Sequence, residues 1–67
     1  MVTLDEFNKK KGECISLIGK VFEYQGYSKS MSNILDKVNK IEYDISKCDE
    51  DYSFMDGITA CYKSLIR

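Results

Sequence analysis

The chain carries no histidine, so the commonest general base and the commonest metal ligand are both missing. What remains for chemistry falls into three groups. Three cysteines, Cys14, Cys48 and Cys61, stand far apart, with no close pair to hold zinc and an odd count that fits no disulfide framework. They are expected to be free, buried thiols of a reducing cytoplasm. Lys9-Lys10-Lys11 could bind an anion such as a nucleotide, or an acidic partner. Asp49-Glu50-Asp51 is its acidic counterpart, reinforced by Glu42, Asp44 and Asp56. No Ser, Cys or Lys stands beside a recognisable base, and no glycine-rich phosphate loop is present. The expectation is therefore no enzyme, no cofactor and no metal.

Two further patterns sharpen that reading. Asp49, Asp51 and Ser53 are spaced like the first ligands of a calcium-binding loop, but Phe54 stands in the glycine's place and Ala60 in the glutamate's. The charges are also unevenly spread. Residues 1–41 sum to +2 and residues 42–67 to −3, so a chain of net charge −1 is electrically polar along its length. Such complementary ends can set the register of an assembly. They supply no overall basic field for nucleic acid.

These groups must be positioned by helices. Thr3-Leu4-Asp5-Glu6 is a capping box, with Val2 and Phe7 spaced as a hydrophobic staple. Leu4, Phe7, Cys14, Ile18 and Val21 continue at helical spacing, broken once by Lys11. Gly26 can end the helix, with Tyr27 folding back on Phe22. The spacing predicts a first helix over residues 3–25. Ser28 or Ser30 can cap a second, on which Met31, Ile34, Val38, Ile41, Ile45 and Cys48 form one stripe. That register continues through Tyr52, Met55, Thr59, Tyr62 and Ile66. Three consecutive acids favour a helix start over a helix end, so the chain is read as breaking near 48–51. The expected fold is one all-α domain over residues 1–67, a small three-helix bundle with helices near 3–25, 29–48 and 51–66. The alternative is a helical hairpin with one long second helix, dimerising into a four-helix bundle.

The apolar faces of the first and last helices are wider than a small monomer can bury. Their aromatics point to contact with another protein or a second copy, and Tyr43, Asp51, Tyr52 and Phe54 are the candidate partner-binding residues. Gly12 and Gly19 lie on one side of the first helix, with Ile15 and Phe22 on the same stripe. Two interior glycines cost about 2 kcal/mol of helix propensity, so this stripe is a candidate for close approach by a helix or ligand.

Residues 26–35, Gly-Tyr-Ser-Lys-Ser-Met-Ser-Asn-Ile-Leu, resemble the turn and recognition helix of repressor-type helix-turn-helix proteins. The resemblance implies DNA contacts from Ser28, Lys29, Ser30 and Asn33. Phe22 departs from the pattern, which has a small residue there, and the turn is one position short. Nothing is apolar enough to span a bilayer, and Met1–Glu6 lacks the features of a signal peptide. The leading expectation is a non-catalytic, cytoplasmic interaction protein, homo-oligomeric, that inhibits or adapts another protein, as many small phage and mobile-element proteins do. A DNA-binding regulator is the second reading. An oligomer that sequesters a nucleotide at Lys9, Lys10 and Lys11 is the third.

Overall fold

Thr3 caps the first helix, its hydroxyl accepting the Glu6 N–H at 3.2 Å. The Glu6 carboxylate reaches back to the Thr3 hydroxyl, 3.1 Å away, rather than to the Thr3 amide that a full capping box uses. From this start runs α1 (Leu4–Gln25), followed by α2 (Lys29–Lys40) and α3 (Cys48–Lys63). The structure, a computed structural model, describes residues 1–66 and has no strand among them. It is a small three-helix bundle.

Gly26 ends α1 with φ 87° and ψ 175°, a backbone region open to glycine, and its N–H donates to Phe22 O at 2.8 Å. Tyr27 then stacks on Phe22, with ring centroids 5.8 Å apart, as the sequence pattern suggests. Ser28 caps α2, and the chain returns antiparallel to α1. After the following loop, α3 runs parallel to α1. Asp49 bonds Val2, Asp56 bonds Lys10 and Lys63 bonds Glu13, in the same order along both helices.

At 22 residues α1 is about 33 Å long, close to the 35 Å longest dimension of the molecule. It is the spine. Both α2 and α3 lean on it and scarcely touch each other. Phe7, Cys14, Leu17, Ile18 and Val21 of α1 meet Met31 and Val38 of α2 and Cys48, Met55 and Tyr62 of α3 in one core. Ile15, Phe22, Phe54, Ile58 and Ile66 are half-buried against it. The over-wide apolar faces are thus largely absorbed within a single copy, leaving Met1, Leu4, Tyr24, Tyr27, Ile45 and Leu65 exposed; Leu4, in the apolar stripe by its spacing, lies outside the core.

The second break lies earlier than the sequence suggests. Helix α2 stops at Lys40 instead of continuing to 48, and α3 covers Cys48–Lys63 instead of 51–66. Ile41 is extended (φ −70°, ψ 122°), which removes the single long second helix and with it the hairpin alternative. The cause is partly Lys11, whose ammonium donates to Asn39 O at 3.2 Å and Ile41 O at 2.6 Å. A cation on the free carbonyls closes a helix C-terminus well. The three acids occupy the first turn of α3, where the helix dipole favours them, but the cap position is Lys47 and its side chain makes no capping bond.

Removing the ammonium of Lys11 while keeping its stem tests this directly. Lys11→Met should lower stability by about 1 kcal/mol, because two carbonyls lose a charge-assisted donor. Lys29→Met, on the exposed start of α2, should stay within about 0.5 kcal/mol of the parent. Equal losses in urea denaturation would contradict the capping role.

Candidate interaction loop

The segment 41–47 joins α2 to α3 and is held from both ends. Asp44 Oδ1 accepts the Ser46 N–H at 3.0 Å and the Ser46 hydroxyl at 2.7 Å, while Lys47 N–H donates to Asp44 O at 2.9 Å. This is an Asx turn closed on itself. The Ser46 donors hold the Asp44 carboxyl below the usual carboxylate range. Upstream, Tyr43 turns inward, its ring edge-on to Phe7 at 5.4 Å and its hydroxyl donating to Val2 O at 3.0 Å. Partial burial pushes the Tyr43 phenol up. Downstream, the Asp49 carboxylate accepts the Val2 N–H at 3.1 Å.

One apolar side chain stands out of this fixed loop. Ile45 is 64% exposed at the turn. It borders a groove of about 630 Å³ with Ile41, Tyr43, Asp44 and Asp51. The groove is lined by Glu42, Asp44 and Asp51 against Lys40 and Lys47, and along the chain residues 42–51 carry five acids against one lysine. The arrangement presents an apolar tip in a negative field, suited to a partner whose apolar cleft is rimmed by bases.

The four residues expected to bind a partner do not form one surface. Tyr43 and Asp51 both line the loop groove, although the Tyr43 hydroxyl is engaged by Val2. Tyr52 faces α1, with Lys10 Nζ 5.5 Å from its ring centre. Phe54 faces α2, with Lys37 Nζ 5.1 Å from its ring centre. Ile45 continues the helical stripe Met31–Cys48 in register, so its spacing marks it for the core rather than for the surface. Its signal was local, an Asp with a Ser two positions later, the signature of an Asx turn.

The lysine triplet is divided. Lys10 makes a 2.9 Å bond to Asp56, which raises its pKa, and its side chain is only 14% exposed. Lys11 closes α2. Lys9 alone points away on the exposed side of α1. The triplet therefore offers no joint anion site. Close approach at the glycine stripe is likewise absent within the chain. A Cβ at Gly12 or Gly19 would meet nothing within 4 Å, while Ile15 and Phe22 turn toward the core.

At the start of α2, Lys29, Ser30 and Asn33 share an exposed face, and Ser28 is half-buried as the cap. Of those four only Lys29 is basic. Burial pushes the Cys14 thiol up, away from the thiolate a nucleophile needs, and Cys48 is buried beside Val2 O, whereas Cys61, expected to be buried, is exposed on the outer side of α3. Among the described residues no three acids or cysteines gather as a metal-binding group, and no helix is long and apolar enough to cross a membrane.

Comparison of the chain with protein-family models, curated proteins and solved structures gives no match.

Proposed function

We propose that the protein is a non-catalytic helical interaction protein that docks on another protein through the α2–α3 loop and thereby inhibits or adapts it. The observation that carries this reading is Ile45, exposed on a turn fixed by Asp44 and Ser46 in a segment rich in acids. An apolar side chain held rigidly in solvent loses little further freedom on binding, which favours association. The acids steer it toward a basic surface and exclude acidic ones. A small inhibitor or adaptor of this kind, working in the cytoplasm and encoded by a phage or mobile element, fits the size and charge of the chain.

The DNA-binding reading draws on the exposed face of α2, where Lys29, Lys37 and Lys40 are all exposed, but three lysines give few phosphate contacts. Capture from a lysate of the source cells distinguishes the two. The wild-type protein should retain a specific protein that Ile45→Asp does not retain. Equal capture by both, or a nucleic-acid complex abolished by Lys29→Ala, would overturn the loop reading.

A further inference from the structure

The bundle leaves one side of its spine uncovered. Opposite the core, α1 presents Asp5, Lys9, Gly12, Ser16, Gly19 and Glu23, all exposed and spaced alternately by four and three residues. That spacing sets all six in one line along the helix, the line a second helix can follow. Among the described residues neither Lys9 nor Glu23 makes an ion pair, so the charges at the two ends of the face are unmatched within the chain.

We propose that this face is the interface of an antiparallel homodimer in which α1 packs on α1 of a second copy. The charge pattern selects both the occupant and the direction. With Ser16 at the two-fold axis, Lys9 stands opposite Glu23 of the second copy, and by symmetry the pair forms twice. The same register sets Glu13 beside Lys20 of the second copy, again twice. A parallel pairing would instead oppose Lys9 to Lys9 and Glu23 to Glu23.

The centre of the face permits this contact. With no Cβ at Gly12 or Gly19 and open space above both, the helix axes can approach to about 8 Å. Along one flank, Glu13, Leu17, Lys20 and Lys63 line a groove of about 350 Å³, with Leu17 as its apolar floor. It can receive the aliphatic stem of Lys20 from the second copy. A single helix pair lies at or below the low end of specific interfaces, about 1,200 Å² in total, so association is weak and depends on concentration and salt. The loop and this face lie on different elements, so dimerisation leaves Ile45 open and the proposal does not rest on the loop's function.

Sedimentation equilibrium over a range of protein concentrations tests it by charge exchange. Wild-type protein should show a monomer–dimer equilibrium that weakens with added salt. Lys9→Glu and Glu23→Lys should each weaken association about ten-fold, since each replaces two attractive pairs with two repulsive ones. The combined variant should return to the wild-type constant. Both single substitutions suit the helix dipole, so unchanged or raised melting temperatures will show that the fold is intact. A wild-type monomer at every concentration would overturn the proposal. So would a dimer indifferent to the single reversals, or a combined variant that stays weak.

Discussion

Phe7→Ala is expected to leave a large fraction of the protein unfolded at room temperature. Phe7 is 1% exposed and lies where α1 meets the α2–α3 loop. Truncating a buried phenylalanine costs about 3–5 kcal/mol. A chain of this size has in total about 3–10 kcal/mol of stability. The damage should also spread. The Phe7 ring braces Tyr43, whose hydroxyl holds Val2 O, and the Val2 N–H is in turn held by Asp49 at the start of α3. Urea denaturation followed by circular dichroism measures the loss. Tyr43→Phe, which keeps the ring contact and deletes one hydrogen bond, should cost about 1 kcal/mol. A Phe7→Ala loss below about 1 kcal/mol would mean that this corner is not packed as described.

The largest gain is expected from the glycines. Gly12, Gly19 and Gly57 all lie inside helices, none has positive φ, and an added Cβ meets nothing within 4 Å at any of them. Alanine there removes backbone freedom from the unfolded chain without strain. The triple substitution should therefore stabilise dilute protein by about 3 kcal/mol and raise its melting temperature by about 15 °C. Gly26 must be left out, since its φ of 87° would strain any other residue. A triple variant no more stable than the parent would show that these glycines carry an internal constraint the geometry does not display.

The sequence made α1 legible at both ends, because its start and stop are local chemistry. Thr3, Glu6 and Gly26 act on atoms within a few residues of themselves. The end of α2 was not legible for a physical reason. Ile41 and Cys48 both reach the core from opposite sides of a non-helical connection, so the apolar period runs on while the backbone leaves the helix. Periodicity is silent on a turn that happens to preserve the phase, and Ile45, in phase yet exposed, is the residue it misplaces.

The lysines show the second limit. Lys10 and Lys11 look like neighbours in one basic triplet, yet adjacent helix residues point about 100° apart. One reaches Asp56, 46 residues away, and the other Ile41, 30 residues away. Only the packing of α2 and α3 against α1 assigns those partners. The break in the apolar stripe at Lys11 was the visible trace of this, since a core-facing lysine must send its ammonium to an acceptor.

Binding of the captured partner to wild-type protein and to Ile45→Asp, measured by titration calorimetry at low and high salt, tests the central claim most directly. The loop account predicts that Ile45→Asp weakens binding at least about hundred-fold, as expected when a charge replaces a central apolar anchor. It also predicts that salt weakens the wild-type complex, because the acids around Ile45 steer it. Unchanged affinity in Ile45→Asp, with loss instead on Lys29→Ala, would place the contact on α2 and contradict the account.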